Sequence, residues 1–387
     1  MTENGNLLPL NIHFPGRLVF GNGTLSALPI DIEKLGSKSV FIVTIDPLLN
    51  QLADIIAQLK EKGMAVVIDT SIKQEPSFSD FEKLMITAKA ANPDTVIGIG
   101  GGSVLDLAKL VAAQLDNTQL LSEIVGIGLL KGRSKKLVCA PATSGTGSEV
   151  SPNAILVDDG DNQKKGIISA FLVPDIVYVD PLLTLSVPAD ITAATGLDAL
   201  THCLEAYTNK FAHPMIDLYA YEGMRLIGEN LVAAVKDGSN KQAREKVALG
   251  SLYGGFCLGP VNTAAVHALS YPLGSSFHLA HGLSNALLLP FVMEFNLVEA
   301  PKRYADVAIA LGCAREANDE ATARKGVEKI RELIAACNIP AKLNQVNIPR
   351  EAIPQMAADA LKIQRLLKNN PRTVTEQDAI TIYNEAY

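Results

Sequence analysis

The feature that most constrains the fold is a repeated alternation of short apolar runs and amphipathic stretches over residues 39–181. Runs such as SVFIVTID and AVVIDT are almost continuously apolar and rich in β-branched residues, and helical periodicity fills the segments between them. Strands of this kind are buried on both faces, as in parallel sheets that are covered by helices. The alternation therefore predicts an N-terminal α/β domain.

The pattern of apolar residues in the sequence changes after about Val187. Strand-like runs vanish there, and helical periodicity continues to the C-terminus with prolines as interruptions. A chain of 387 residues is also longer than one hydrophobic core usually serves. We therefore expect two domains, an α/β domain over residues 1–185 and an all-helical domain over residues 186–387.

Composition excludes several classes of function. The net charge is −7 and no basic stripe is present, so binding to nucleic acid is not expected. No apolar stretch approaches the roughly 18 residues that cross a bilayer, so no membrane contact is expected either. The five cysteines are scattered without a Cys-x-x-Cys pair, and the N-terminus resembles no secretory signal. These features predict a cytoplasmic protein.

The motif GGGSVLDLAK predicts an anion site between a strand over residues 96–99 and a helix that begins at Ser103. Glycines allow a sharp turn and the close approach of a ligand. We expect Ser103 to cap the helix, with Asp106 at the third helical position in an arrangement close to a capping box. Free N–H groups and the helix dipole would then suit a pyrophosphate, although tight packing alone also explains such a turn. The glycines are Gly100, Gly101 and Gly102.

A second loop, PATSGTGSEV, follows a later strand of the same domain. It interleaves glycines with the hydroxyl residues Thr143, Ser144 and Thr146, and α/β sheets bind nucleotides at the carboxyl ends of their strands. A small-residue turn is the alternative. The earlier FGNGTL has no third glycine, and we interpret it as a hairpin or turn without a strand–helix unit around it.

Two charged residues are candidates for contacts with a dinucleotide. Asp46 ends the first strand of the alternation, where a carboxylate can accept hydrogen bonds from a ribose and repel a 2′-phosphate. A turn-forming aspartate before Pro47 is an equal alternative. Lys164 follows a polar turn and could contact the pyrophosphate or simply be solvated.

The helical half contains the pattern of a metal site. Asp198 and His202 stand four residues apart in TGLDALTHCLEAY, which places both side chains on one helix face. A carboxylate and an imidazole can hold one divalent cation, although a surface pair or a core histidine gives the same spacing. His267 and His281 downstream are candidates for the remaining ligands. Three imidazoles and one carboxylate suit Fe²⁺, Zn²⁺, Co²⁺ or Mn²⁺. A metal with an open position could activate an alcohol whose hydride passes to a nicotinamide.

Over essentially its whole length the chain resembles the iron-containing (group III) alcohol dehydrogenases. The shared motifs, in order, are FGNGTL, GGGSVLDLAK, PATSGTGSEV, GLDALTHCLEAY, the two downstream histidines and NNPRTVT. The resemblance implies a Rossmann-like dinucleotide-binding domain, an all-α domain of the dehydroquinate synthase-like architecture, an NAD cofactor, an iron ion and a homodimer. It implies metal ligation by Asp198, His202, His267 and His281. It implies cofactor binding by Gly100, Gly101, Gly102, Ser103, Thr143, Thr146, Asn153 and Lys164.

Three departures from the family pattern leave roles open. Ile45 separates Thr44 from Asp46, so the preference for NAD over NADP is not decided. Tyr271 stands where many members have a histidine that is assigned a proton-relay or substrate role. His278 would be near His281 if the segment were helical, and could replace that histidine or hydrogen-bond a ligand. Ala280 replaces a proline that often precedes the last ligand, with no evident consequence.

The sequence therefore predicts a metal-dependent, NAD(P)-linked dehydrogenase that acts on a small primary alcohol, diol or hydroxy acid, or on the corresponding aldehyde. The candidate catalytic residues are His267, His281, His278 and Tyr271. One alternative is an NAD- and metal-dependent lyase similar to dehydroquinate synthase, which needs several basic residues around its substrate. The other alternative is a non-catalytic nucleotide sensor with the same fold.

Overall fold

The computed structural model describes residues 7, 9–72, 75–161 and 163–387, which form two compact units. Residues 13–143 and 148–186 form an α/β unit. Residues 144–147 and 187–387, with the described residues before His13, form a helical unit. The loop at 144–147 thus belongs to the helical unit, whereas the sequence had placed it in the first domain. Its Gly147 packs so closely that an added Cβ would lie 2.3 Å from Gly255 Cα.

The α/β unit contains a six-stranded sheet in the order β1-β9-β6-β4-β2-β3, and every strand pair in it is parallel. A smaller sheet has the order β5-β8-β7, in which β7 and β8 are antiparallel. The strands are β1 Arg17–Phe20, β2 Ser39–Val43, β3 Ala65–Asp69, β4 Thr95–Gly100, β5 Gly126–Ile127, β6 Lys136–Pro141, β7 Asn153–Asp158, β8 Gln163–Ile168 and β9 Ile176–Val179. The helices of this unit are α1 Leu28–Lys34, α2 Leu49–Glu61, α3 Phe78–Ala91 and α4 Gly102–Gln114.

The large sheet is buried on both faces, as the apolar runs predicted. Along β2, Phe41 and Val43 belong to one hydrophobic cluster, while Val40 and Ile42 belong to a second cluster. Because successive side chains of a strand point to opposite faces, the two clusters cover the two sides of the sheet. A continuous apolar run in the sequence therefore corresponds to a strand of a covered parallel sheet.

The segment FGNGTL is a turn, and the hairpin interpretation is wrong. Strand β1 pairs in parallel with β9, and a 3₁₀ helix at Thr24–Ala27 and then α1 follow it, so a strand–helix unit does surround this motif. The carboxylate of Asp180, just after β9, accepts the N–H groups of Gly23 and Leu25 at 2.9 and 3.1 Å. Through these hydrogen bonds the motif, which follows β1, is attached to the end of the neighbouring strand β9.

In the helical unit, the described residues after β9 contain helices and no strand. Its apolar faces pack into a single large cluster that runs from Ala193 to Ala386. No helix among the described residues is long and apolar enough to span a membrane. The helices are α5 Ala189–Thr208, α6 Pro214–Lys236, α7 Lys241–Leu258, α8 Ala265–Phe277, α9 His281–Leu297, α10 Pro301–Ala310, α11 Asp319–Ala336, α12 Ile353–Ala360, α13 Gln364–Leu367 and α14 Glu376–Glu385.

Candidate metal and cofactor sites

Four residues from three helices of the helical unit meet at one point. Asp198 and His202 come from α5, His267 from α8 and His281 from the first position of α9. The Nε2 atom of each histidine lies 3.6 Å from Asp198 Oδ1, and one potential ligand atom from each residue lies within 4.8 Å of the others. The structure thus brings together the four residues that the sequence singled out as metal ligands.

The spacing and the donor set fit a divalent ion. Two ligand atoms that are each about 2.0–2.2 Å from one ion, at a tetrahedral angle, stand about 3.3–3.6 Å apart. The side chains of Asp198, His202 and His267 are 3–5% exposed, and that of His281 is 29% exposed. A buried carboxylate beside three imidazoles is a donor set of borderline character that suits first-row divalent metals. The more exposed His281 marks the side from which a small molecule can approach.

The electrostatics of the cluster favour an ionised carboxylate. Burial raises the pKa of Asp198, but the charges of His202 and His281, together with the hydrogen bond and charge of His267, outweigh burial and hold this pKa below its ordinary value. Burial lowers the pKa of His202, whose ring stacks on that of His267 with centroids 4.8 Å apart. Burial also acts to lower the pKa of His267, but the charge of Glu205 and hydrogen bonds to Asp198 and Glu205 raise it to about 10.

A glycine allows His281 to reach the other ligands. An added Cβ at Gly282 would lie 2.2 Å from Ala194 O and 3.3 Å from Asp198 Cβ. Real side chains do not tolerate the first of these distances, so only glycine lets the start of α9 approach α5 this closely. The His-Gly pair of the sequence is therefore explained by backbone packing next to a candidate ligand.

Glu205 is a member of the site that the sequence analysis missed. Its Oε2 lies 2.6 Å from His267 Nδ1, and its Oε1 accepts the N–H of Val266 at 2.6 Å. A carboxylate at Nδ1 orients the ring, so that Nε2 offers its lone pair to a metal once the metal has displaced the Nε2 proton. The available signal was position, because Glu205 follows His202 by three residues and Asp198 by seven on the same face of α5.

Asn285 is the second residue that was missed. It is fully buried one helical turn after His281, and its Nδ2 donates to Asp198 Oδ1 at 2.7 Å. The same nitrogen lies 3.1 Å from His267 Nε2 and 3.3 Å from His281 Nε2. Its Oδ1 is buried without a hydrogen-bond partner among the described residues. An asparagine four residues after a candidate ligand on one helix was the signal for this contact.

The structure places Tyr271 next to His281 and leaves His278 exposed. Tyr271 is buried on α8, and its ring meets the His281 ring at an edge-on angle with centroids 6.1 Å apart. His278 is exposed and ends α8 in the left-handed conformation, with φ 56°. The premise that a helix joins His278 to His281 is therefore wrong, because α8 has ended and α9 begins only at His281.

The glycine loop lies between β4 and α4 as expected, but the predicted cap is wrong. The cap residue is Gly101 in an extended conformation, α4 begins at Gly102, and Ser103 is the second residue of the helix. An added Cβ at Gly100 would lie 2.8 Å from the Val104 side chain, which shows how tightly the turn packs. The helix therefore begins one residue earlier than predicted, and the strand ends one residue later.

Asp106 belongs to a buried network rather than to a capping box. Its carboxylate accepts the hydroxyl of Ser148 and, at 2.9 Å, the N–H of Ile155. The fully buried Lys109 donates to Ser148 O at 2.6 Å and to Asn153 O at 2.5 Å. Asn153 Oδ1 itself is buried and has no hydrogen-bond partner among the described residues, so it is available to a ligand.

The other residues predicted to bind the cofactor lie in different elements of the fold. Thr143 lies beside the glycine loop, since an added Cβ at Gly101 would be 3.6 Å from Thr143 Oγ1. Ser144 and Thr146 lie in the loop that belongs to the helical unit. Asp46 does not end β2, which stops at Val43; Asp46 is exposed and opens a 3₁₀ helix at Asp46–Leu48. Lys164, on β8, pairs with Glu75 at 2.5 Å.

Comparison with known proteins assigns the family. A family model described as iron-containing alcohol dehydrogenase matches residues 15–181. Another, described as the C-terminal part of the Fe-containing alcohol dehydrogenase family, matches residues 192–387. The chain belongs to the iron-containing alcohol dehydrogenase family. It is therefore an alcohol dehydrogenase of the iron type, and the predicted family, fold class and reaction class are confirmed.

Individual relatives and solved structures match over nearly the whole chain. Long-chain-alcohol dehydrogenase 1 of Geobacillus thermodenitrificans is 38% identical, over 97% of this chain and 96% of its own. The crystal structure of 1,3-propanediol oxidoreductase superimposes with a TM-score of 0.95 at 32% identity, over 98% of this chain and 100% of its own. Sulfoacetaldehyde reductase of Bifidobacterium kashiwanohense, in complex with NAD⁺, gives a TM-score of 0.87 at 25% identity over 98% and 99%.

Proposed function

We propose that this alcohol dehydrogenase holds Fe²⁺ at Asp198, His202, His267 and His281 and transfers hydride between a small alcohol and NAD. The observation that carries the proposal is the convergence of three histidine Nε2 atoms, each 3.6 Å from Asp198 Oδ1. A bound divalent ion supplies Lewis-acid polarisation of the alcohol or carbonyl oxygen, and the nicotinamide accepts or returns the hydride.

The residues around the candidate ligands have separate tasks in this proposal. Glu205 fixes the orientation of the His267 ring through Nδ1, so that Nε2 is directed at the ion. Asn285 holds the carboxylate of Asp198 in place through Nδ2. Tyr271 lies next to His281, the most exposed of the four, and is assigned to the side on which the substrate binds. His278 has no place in this arrangement, because it is exposed at the end of α8.

The cofactor is assigned to the glycine loop. The N–H groups at the start of α4, with Gly100, Gly101 and Gly102 before and within its first turn, suit a pyrophosphate. Further contacts are assigned to Ser103, Thr143, Ser144, Thr146, Asn153, Lys164 and Asp46, whereas the carboxylate of Asp106 is engaged within the network of Ser148 and Ile155. A relative of the same fold binds NAD⁺, and an exposed carboxylate at Asp46 would repel a 2′-phosphate; both favour NAD over NADP.

The substrate class is a small primary alcohol, a diol or a hydroxy acid, or the corresponding aldehyde in the reverse direction. The relatives named above act on a long-chain alcohol, a propanediol and sulfoacetaldehyde, which share a primary alcohol or aldehyde carbon. The reacting end of the substrate is therefore common to these proteins, while the opposite end of the substrate differs among them.

The decisive experiment measures NAD⁺ reduction by metal-stripped protein with a panel of small alcohols, with and without Fe²⁺ under anaerobic conditions. We expect turnover to return with Fe²⁺ and to be lost in His267→Ala and in His281→Ala. His13→Ala, which removes an exposed histidine of the α/β unit, is the matched control and keeps full activity. Full turnover in both ligand variants, or equal turnover without any metal, would refute the proposal.

Three further expectations belong to the proposal. We propose a homodimer, by analogy with the family, and a cytoplasmic location for an acidic protein with scattered cysteines. We also propose that the functional domains divide at residues 185/186. Light scattering coupled to size exclusion tests the first expectation, since a monomer at micromolar concentration would exclude a stable dimer.

A further inference from the structure

Arg365 and the candidate metal ligand His281 both lie next to the aromatic ring of Tyr271. Arg365, on α13, donates from Nη2 to Tyr271 Oη at 2.8 Å, and its Cζ is 5.7 Å from the centroid of that ring. The Tyr271 ring in turn meets the His281 ring, with centroids 6.1 Å apart. The order in space is therefore guanidinium, phenol and imidazole, all within the helical unit.

Arg365 has no acidic partner among the described residues. Other arginines of the chain pair closely with carboxylates, for example Arg133 with Asp175 at 2.6 Å and Arg303 with Asp217 at 2.7 Å. In the part of the chain that the structure describes, Tyr271 Oη is the only protein acceptor within reach of the Arg365 guanidinium. A guanidinium carries five N–H donors, so the described residues leave most of its hydrogen-bonding capacity unused.

The segment that carries Arg365 is fixed by buried amides. Asn369 Nδ2 donates to Thr263 O at 2.8 Å, and the side chains of Asn370 and Asn296 exchange hydrogen bonds of 2.7 and 2.8 Å. All three asparagines are buried. These contacts explain the NNPRTVT motif as an anchor for the chain, and the anchor holds α13 against α8. A partly buried cation in a fixed position is suited to recognition of a ligand.

The most accessible residue of the candidate metal group is His281, whose ring meets that of Tyr271. His281 is 29% exposed, against 3–5% for the other three side chains of the group. A substrate that approaches past His281 therefore comes next to the Tyr271 ring, with the guanidinium of Arg365 at the hydroxyl end of that ring. A carboxylate or sulfonate is the partner that a guanidinium binds most strongly, through two parallel charge-assisted hydrogen bonds.

We propose that Arg365 is a specificity-determining residue that binds an anionic end of the substrate, so that short ω-hydroxy acids or their aldehydes are preferred to neutral alcohols. This inference rests on the proposed function and names the substrate class for the same site. The reaction is unchanged: the hydroxy acid loses a hydride to NAD⁺ and a proton to solvent, and gives the aldehyde acid and NADH.

The test compares pairs of aldehydes of similar size in the NADH-dependent direction, with Fe²⁺-loaded enzyme. Succinic semialdehyde is paired with butanal, and sulfoacetaldehyde with propanal. We expect wild-type kcat/KM to favour the anionic member of each pair at least tenfold. Arg365→Met should reduce this ratio by about tenfold to a hundredfold, mainly through KM, because a charged hydrogen-bonded partner is lost. Arg365→Lys should retain part of the ratio, since the charge remains.

Arg350→Met is the matched control. Arg350 also lies over an aromatic ring, with Cζ 5.2 Å from Tyr387, and also meets a neutral acceptor, Asn384 Oδ1 at 3.3 Å. This variant should leave the substrate ratio unchanged. A wild-type enzyme without preference for the anionic aldehydes would overturn the inference, as would an equal loss for both members of a pair in Arg365→Met. Turnover of neutral aldehydes would leave the proposed function intact in either case, whereas absence of turnover with every aldehyde would count against both.

Discussion

Glu205 and His267 form a carboxylate–imidazole pair behind the candidate metal group, with Glu205 Oε2 2.6 Å from His267 Nδ1. Both side chains are 3–4% exposed, and Glu205 Oε1 is held by the N–H of Val266, one residue before the histidine. The carboxylate therefore hydrogen-bonds both to the His267 ring and to the backbone at the start of α8. Such partners set the tautomer of a ligating histidine and raise its basicity.

Replacement of Glu205 should weaken metal binding more than it alters the fold. Glu205→Gln keeps an acceptor for Nδ1–H but removes the charge, and we expect metal affinity to fall about tenfold to a hundredfold. Competition with a chromogenic chelator, together with metal analysis of the purified protein, measures this change. Glu294→Gln, on α9 and paired with Arg331 on the surface, is the control. Equal affinities for all three proteins would show that Glu205 does not position the ligand.

The fold and the four candidate ligands were predictable because each rests on a local pattern. The period of the apolar residues distinguishes strand from helix, and β2 shows why continuous apolar runs are covered strands. Asp198 and His202 share a helix, so their spacing alone places them together. His267 and His281 could be added because few histidines occur in the chain.

The remaining parts of the site depend on packing between elements, which spacing does not encode. Asn285 reaches Asp198 only because Gly282 lets α9 approach α5. His278 departs from the helix because its backbone takes the left-handed conformation, although it is not a glycine. Asp106 leaves the predicted capping box because Ser148 and Ile155, distant in sequence, offer it better partners.

Asn285→Ala tests whether this amide positions Asp198. The variant removes the hydrogen bond of 2.7 Å to Oδ1, so the buried carboxylate loses a donor and can rotate. We expect metal affinity to fall about tenfold and the free energy of unfolding of the metal-free protein to fall by about 1 kcal/mol. Chelator competition and urea titration give the two quantities. Asn230→Ala, which removes an amide bonded to Leu226 O on α6, serves as the control and should leave affinity unchanged. An unaltered affinity in Asn285→Ala would refute the positioning role.

Lys109→Met should destabilise the α/β unit strongly. Lys109 is fully buried and donates to Ser148 O, Ser148 Oγ and Asn153 O at 2.5–2.9 Å, and its charge lies near Asp106. Removal of one member of a buried charge pair leaves the other uncompensated, at a cost of about 3–5 kcal/mol. Urea denaturation followed by circular dichroism measures the loss. Lys89→Met, an exposed position on α3, should change stability by less than about 0.5 kcal/mol. A similar small effect at Lys109 would contradict this account.

Glu149 should make stability depend on pH in the opposite sense to a salt-bridged carboxylate. Burial raises the pKa of Glu149 to about 7 from 4.5, although the charge of Lys109 acts to lower it. The folded protein thus binds this proton more tightly than the unfolded chain does, and the free energy of unfolding falls as pH rises from about 4.5 to about 7.

Glu149→Gln removes this titration and should therefore stabilise the protein relative to wild type, by about 1–3 kcal/mol at pH 8 and by much less at pH 5. Urea titrations at four pH values between 5 and 8 give the difference, with the exposed Glu82→Gln as the control. Because the control has no burial to relieve, its difference from wild type should stay near zero at every pH. A gain in Glu149→Gln that is the same at pH 5 and pH 8 would mean that the amide packs better than the carboxyl. The pKa of Glu149 would then not be raised by its burial.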